Sequence, residues 1–251
     1  MRSAVSLRGV SFGYQPGRYV LRDVDFEVET GGYTAVIGPN GGGKSTLLKI
    51  MLGLLEPWTG TVEVLGLPPA RARHRIGYVP QASGAVLDFP VSALDVVMMG
   101  LPGGRSTKRA RSAALSTMER LGIAGLSGMH AGSLSGGQRQ RAFIARALVG
   151  SPEILLLDEP AASVDPEGQE SFYELMAELN RTVTIVMVTH DVGAVSNHVK
   201  TIACLSTVMV SHGESLETEA VARAYGCSVD LVSHGTPHRV LGKHEGRGGN
   251  D

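Results

Sequence analysis

The stretch Tyr33-Thr34-Ala35-Val36-Ile37-Gly38-Pro39-Asn40-Gly41-Gly42-Gly43-Lys44-Ser45-Thr46 decides the fold. Its first five residues form a short run of strand length, ended by Gly38. From Lys44 to Leu55 the apolar residues Leu47, Leu48, Ile50, Met51, Leu52, Leu54 and Leu55 fall on every side, which predicts a buried helix. Between strand and helix stands a Gly, four residues, then Gly-Lys-Ser, the spacing of a phosphate-binding loop in the context that gives it meaning. Glycines let successive backbone N–H groups turn inward around phosphate oxygens. The helix N-terminus adds partial positive charge. Gly38, Pro39, Asn40, Gly41, Gly42, Gly43 and Thr46 then line the cradle, Lys44 reaches the outer phosphates and Ser45 offers its hydroxyl to Mg²⁺. The expectation is a nucleoside triphosphatase.

Working outward, Ala4 to Leu7 is a short apolar run, and Val24, Phe26 and Val28 alternate as in a half-buried strand. Ile154-Leu155-Leu156-Leu157-Asp158-Glu159 is an apolar strand ending in two acids. Open parallel sheets bind ligands beyond the carboxyl ends of their strands. Asp158 is therefore expected beside the Mg²⁺, and Glu159, one residue further, where it polarises the attacking water. Phe172, Leu175, Met176 and Leu179 follow helical spacing. Thr184 to Val188 reads as a strand, a short helix is expected from about Val192, and a strand near Ile202 to Leu205. Strands alternating with helices predict a parallel sheet covered by helices. From about 82 to 150 the pattern is helical: Ala110, Ala114, Met118 and Leu121 share a face, as do Phe143 with Ala147 and Ile144 with Leu148. Gly150 and Pro152 stop that helix. A short helix is expected near 217–225, and the polar, Gly-rich end from 242 to 251 is expected to fray.

Composition narrows the function. In 251 residues, 23 Lys and Arg stand against 24 Asp and Glu, a net charge of −1. Neither a basic nucleic-acid coat nor an acidic disordered tail is compatible with that balance. No apolar run approaches the roughly 20 residues of a membrane helix, and the first residues lack a signal-peptide block, which predicts a cytosolic chain. Cys204 and Cys227 give neither a disulfide framework nor zinc-ligand spacing. Arg105, Lys108, Arg109 and Arg111 read as the wet face of the helix carrying Ala110, Ala114 and Met118. His212, His234, His238 and His244 have no fixed metal-ligand spacing, and Pro237 breaks the helix that would align two of them.

One further motif separates the chain from other phosphate-loop enzymes. Leu134-Ser135-Gly136-Gly137-Gln138-Arg139-Gln140-Arg141 again opens a helix on a Ser-Gly-Gly turn, making a second phosphate-binding surface. One chain has one triphosphate site, so a second surface is useful if it closes over a neighbour's nucleotide. With these motifs in this order, residues 3 to 212 resemble the ATP-binding subunits of ABC transporters. The resemblance implies an α/β fold: a phosphate-loop NTPase core with a mixed, mostly parallel sheet, an N-terminal antiparallel β subdomain and an inserted α-helical subdomain. Its boundaries would place the core and β subdomain at 1–81 and 151–212, the helical signature subdomain at 82–150 and a C-terminal extension at 213–251, all within one ATPase domain.

By the same resemblance, Tyr14, after Phe12-Gly13, is the aromatic that stacks on adenine, a contact worth about 1–3 kcal/mol. Gln81, in Tyr78-Val79-Pro80-Gln81, touches Mg²⁺ and water and borders the groove for the membrane subunit. Asp165, in Ser163-Val164-Asp165, crosses a dimer interface, and it also reads as a helix N-cap before Pro166. His190 senses the γ-phosphate. The catalytic set is thus Glu159, His190 and Gln81; the metal set Ser45, Gln81 and Asp158; Ser135, Gly136, Gly137, Gln138 and Asp165 join the nucleotide set from the far side. The implied cofactors are ATP and Mg²⁺. The implied partners are a second copy bound head to tail, integral membrane permease subunits and an extracytoplasmic solute-binding protein, with no nucleic acid. The implied place is the cytoplasmic face of the inner membrane. Val86-Leu87-Asp88-Phe89-Pro90, the segment Asp95-Val96-Val97, and Ala162-Ser163-Val164-Asp165-Pro166 resemble the zinc and manganese importer branch. A siderophore, haem or cobalamin importer is the alternative cargo class, and a soluble non-transport ABC protein a further one.

Overall fold

The computed structural model describes residues 2–81, 90–101, 107–162, 164–190 and 199–213. The chain opens with β1 (Ser3–Phe12), β2 (Leu21–Glu29) and β3 (Tyr33–Ile37), then α1 (Lys44–Met51) and β4 (Thr59–Val64). The short α2 (Pro69–Ala72) and β5 (Ile76–Val79) follow. Three helices come next: α3 (Ala93–Met98), α4 (Lys108–Arg120) and α5 (Gly136–Leu148). The chain then returns through β6 (Ile154–Asp158), α6 (Pro166–Leu179), β7 (Thr184–Val188), β8 (Thr201–Ser206) and β9 (Val208–Gly213).

Two sheets result. The larger runs β5-β6-β7-β3-β8-β9, parallel except for the antiparallel β8–β9 hairpin at one edge. The smaller is antiparallel, in the order β2-β1-β4. Every residue of β3, β6 and β7 is buried. That is why these strands read as unbroken apolar runs: a parallel sheet is covered on both faces. One face presents Ile154, Leu156, Val186 and Val188 to Leu47, Leu48 and Met51 of α1 and to the small sheet through Phe26 and Val28. The other presents Leu155, Leu157, Ile185 and Met187 to Phe143 and Ile144 of α5 and to Phe172 and Met176 of α6. Helices α3 and α4 pack on α5 through Leu94, Val97, Ala114 and Met118.

Several boundaries differ from the sequence expectation. Helix α1 ends at Met51 rather than Leu55, because Gly53 turns the backbone at φ 64 and a side chain there would meet the backbone of Ala70. Leu54 consequently lies outside the core, 56% exposed. The first apolar run extends to Phe12, the register shifts along β1 carrying it through residues that break strict alternation. Strand β7 keeps its expected bounds, Thr184–Val188. Strands β4, β5 and β9 had no sequence signal; β4 is exposed along most of its length and β5 spans only four residues. Lys108, Arg109 and Arg111 are exposed on α4 while Ala114 and Met118 are buried, as their spacing predicts. Cys204 is buried and free. The helix expected from Val192, the one at 217–225, the tail from 242, Cys227 and His234, His238 and His244 lie outside the described residues.

Candidate active site

The loop from Gly38 to Gly43 follows β3 and feeds α1. It can take its path only without side chains at certain points. At Gly38 (φ 156) and Gly42 a Cβ would press on the Leu205 carbonyl at the end of β8, and at Gly43 (φ 98) it would meet Leu21 and the Val20 carbonyl. Two backbone bonds seat the loop: Gly42 N–H donates to the Pro39 carbonyl, and Thr207 N–H donates to the Gly42 carbonyl, at 3.0 and 3.1 Å.

Among the described helices of eight residues or more, α1 alone starts without a side-chain cap. Gly43 holds its N-cap position. Thr107 caps α4, Ser135 caps α5 and Asp165 caps α6, each accepting a backbone N–H. The first N–H groups of α1 thus keep their bonding capacity for an anion. Lys44 is buried, and its Nζ donates back to the carbonyls of Gly38 and Pro39 at 2.8 and 3.0 Å. Burial holds this ammonium below its ordinary range, against the pull of Glu159 and Asp158.

The strand-end acids occupy the far wall. Ser45 Oγ donates to Asp158 Oδ1 at 3.0 Å. Asp158 is almost wholly buried. Burial pushes its carboxyl above the usual carboxylate range, the Glu159 charge adds to this, and the Ser45 bond, Lys49 and Lys44 oppose it. Glu159 follows in the left-handed region, φ 48, with its N–H donated to the Val188 carbonyl at 2.9 Å. That turn takes its side chain off the sheet. Its Oε2 lies 2.6 Å from His190 Nδ1, the Glu159 side chain nearly enclosed and the His190 side chain open to solvent.

Tyr14, Asn40, Gly41, Gly43, Lys44, Ser45, Thr46, Gln81 and Glu159 surround one cavity of about 320 Å³. Tyr14 is 60% exposed at its rim, its hydroxyl 3.2 Å from Thr46 Oγ1. Most of the residues expected at the near side thus line one cavity, with Gly38 and Pro39 joined through Lys44, Asp158 through Ser45 and His190 through Glu159. The far-side set does not. Ser135, Gly137 and Asp165 line a separate pocket of about 120 Å³ with Gln140 and Arg141. There Ser135 and Gln138 form a reciprocal capping box. Asp165 accepts from Gly168 N–H at 2.7 Å, so its capping role stands on its own. Arg141 ties α5 to its surroundings, donating to the Leu121 carbonyl and to Ser171 Oγ.

Two residues at this site escaped the sequence reading. Val20 lines the cavity. Tyr78 on β5 lies beside Leu156, on the sheet face that carries Asp158 two residues further along β6. Burial, with the Asp158 charge, pushes its phenol up to about 12. Its signal was the aromatic three residues before Gln81, unreadable until the strand register was known.

Comparison with known proteins identifies the family. A family model described as ABC transporter matches residues 21–162. A zinc uptake system ATP-binding protein, ZurA of Listeria innocua, is 38% identical over 227 residues, covering 86% of this chain and 88% of that one. A manganese transport system ATP-binding protein, MntA of Synechocystis sp., is 38% identical over 225 residues, covering 86% of each. Among solved structures, cbiO1 from Clostridium perfringens, part of the ABC transporter complex cbiONQ, superposes with a TM-score of 0.78 at 28% identity, covering 85% of this chain and 89% of that one.

Proposed function

The chain belongs to the family of ABC transporter ATP-binding subunits, and from that premise we propose that it hydrolyses ATP to drive the import of a divalent metal ion, zinc or manganese, through a separate membrane permease. The observation that carries the catalytic part is the hydrogen bond between Glu159 and His190 on the wall of the cavity lined by Lys44 and Ser45. The cargo rests on likeness to relatives named for zinc and manganese transport over most of their length.

The steps follow from the residues. The open N–H groups at the start of α1 and the Gly-rich loop hold the β- and γ-phosphates, and Lys44 leaves the carbonyls of Gly38 and Pro39 for the incoming phosphate oxygens. Tyr14 offers its exposed ring to the adenine. The hydroxyl of Ser45, the carboxylate of Asp158 and the amide oxygen of Gln81 are hard oxygen donors of the kind Mg²⁺ takes. A carboxyl raised by burial is one that a neighbouring cation returns to its charged form, so the set fits. Bound there, Mg²⁺ would neutralise charge building on the phosphates. Glu159 accepts a proton from the attacking water, and His190 holds that carboxylate in line.

The second copy enters because Ser135 and Gly137, flanking Gly136 and followed by Gln138, line a pocket separate from the chain's own cavity. In a head-to-tail pair these residues and Asp165 face the partner's nucleotide. ATP then favours the closed pair because only that state offers both halves of the site. Among the described residues no helix is long and apolar enough to cross a membrane. Attachment to the cytoplasmic face of the inner membrane therefore falls to the permease, docked near Gln81, with a solute-binding protein delivering the ion from outside.

The test is uptake by the chain reconstituted with its permease. Wild type should carry zinc or manganese with ATP. Glu159→Gln should still bind ATP, and pair on gel filtration with it, but turn over about 10²- to 10⁴-fold more slowly. Normal steady-state hydrolysis by that variant would overturn the catalytic assignment. Transport of a metal chelate with neither free ion carried would overturn the cargo.

A further inference from the structure

Among the aromatic side chains around the Tyr14 loop, one has no part in the site described above. Trp58 is the only tryptophan of the chain. It stands just before β4, with its N–H donated to the Ser11 carbonyl at 2.8 Å. Its indole centroid is 6.0 Å from the Phe12 ring, and Phe12 meets Tyr14 edge-on at 5.2 Å and 87°. Tyr19 also packs edge-on against the indole at 5.6 Å. The indole also lies directly against Gly13: a Cβ added there would come within 2.7 Å of Trp58 Cη2. The residue before Tyr14 and the residue before that both rest on one side chain.

We propose that Trp58 is a positioning residue for the nucleobase: its indole supports the Phe12-Gly13-Tyr14 segment from beneath and so fixes the plane of the ring on which the base stacks. The inference rests on the reading of Tyr14 as the stacking residue. The physical need is plain. Tyr14 is 60% exposed, so packing on its outer side cannot set its orientation. The loop between Gly13 and Val20 is held to itself by the Gln15–Arg18 bridge and to β1 through the Val20 N–H on the Phe12 carbonyl. Those bonds fix the backbone of the hairpin and the Thr46 contact anchors the Tyr14 hydroxyl, but the tilt of the ring about that anchor follows from the Phe12 edge contact and the Gly13 backbone, and Trp58 touches both. Without the indole, the ring must be ordered at the moment the nucleotide binds. Immobilising one such side chain costs about 0.5–1.5 kcal/mol, or roughly a two- to twelvefold loss of affinity.

The experiment is a double-mutant cycle on the full chain, read as Mg-ATP affinity by calorimetry, with inorganic triphosphate as the ligand that lacks a base. Trp58→Ala should weaken ATP binding roughly two- to twelvefold, leave triphosphate binding unchanged and raise KM without lowering kcat in the reconstituted transporter. Trp58→Phe should restore most of the affinity. In a Tyr14→Ala background, Trp58→Ala should cost nothing further. Equal weakening of ATP and triphosphate, or a full additional loss in the Tyr14→Ala background, would show a general structural role and overturn the proposal. If Tyr14→Ala itself leaves ATP affinity unchanged, the stacking reading fails. If Tyr14→Ala weakens ATP and Trp58→Ala does not, the stacking reading stands and the positioning role fails.

Discussion

Asp158 shows what the site costs the fold. Its carboxyl is buried beside Ser45 and Tyr78, and burial raises its affinity for a proton above that of the unfolded chain. The sign follows from linkage. A folded state that binds the proton more tightly is most stable relative to the unfolded state at low pH, and it loses stability as pH climbs from the unfolded value through the folded one. At neutral pH the ionised group is therefore a burden on the empty chain. Asp158→Asn keeps an acceptor for Ser45 and removes the charge, so thermal melting of that variant at neutral pH should be higher, on the order of 1 kcal/mol or about 2–4 °C. The gain should shrink as pH is lowered, while hydrolysis is lost. A lower melting temperature at neutral pH would contradict this account of the burial. Residues in contiguous motifs were legible at this scale: Gly38 to Thr46 and Asp158-Glu159 carry their chemistry in their spacing. Tyr78, Val20 and Trp58 do not, because what brings them to the site is strand register and a hairpin turn.

At the scale of elements, the helices divide by how they begin. α4, α5 and α6 satisfy their first turn with Thr107, Ser135 and Asp165, while α1 leaves its own open. The cap of α6 was readable, since Asp-Pro is a local signal; the start of α5 reads in the sequence as open N–H groups, and the Ser135–Gln138 box closes part of it. The end of α1 was misread, because seven apolar residues outweighed one glycine. The structure makes Gly53 the stop and turns Leu54 outward. Leu54→Lys should therefore change stability by no more than about 0.5 kcal/mol. Leu48→Ala, three residues before the end of the same helix and wholly buried, should cost about 2–5 kcal/mol. Chemical denaturation of the two variants checks the boundary: comparable losses would mean that the helix continues to Leu55.

Across the whole molecule, strand order was the least legible feature. Alternating strands and helices predict a covered parallel sheet, yet nothing local says that β3 lies between β7 and β8 or that β9 closes the edge. These neighbours are chosen by long-range packing. One side chain makes such a junction visible. Asn180, buried where α6 ends, donates through Nδ2 to the carbonyls of Gly32 and Val183, both at 3.0 Å, and lies 3.4 Å from that of Gly31. It joins the turn before β3 to the turn before β7. Asn180→Ala removes the amide that joins the two turns, although the Gly32 carbonyl keeps the Ile185 N–H and the Gly31 carbonyl keeps Lys200 Nζ, and should cost about 1–3 kcal/mol, read as a drop of roughly 2–4 °C in melting temperature for each kcal/mol. An unchanged melt would mean that the two turns are fixed by other contacts. A last consequence follows from β5 and β6, which are hydrogen-bonded neighbours although the chain travels from Val79 to Ile154 between them. A long excursion whose two ends are anchored on paired parallel strands, offset by three residues or about 10 Å along them, can be replaced without stretching its host. A chimera taking that excursion from a relative would bring in the relative's counterparts of Gln81 and of Ser135 to Gln138, while Lys44, Ser45, Asp158 and Glu159 stay with the host, so the two halves of the proposed site can be inherited separately.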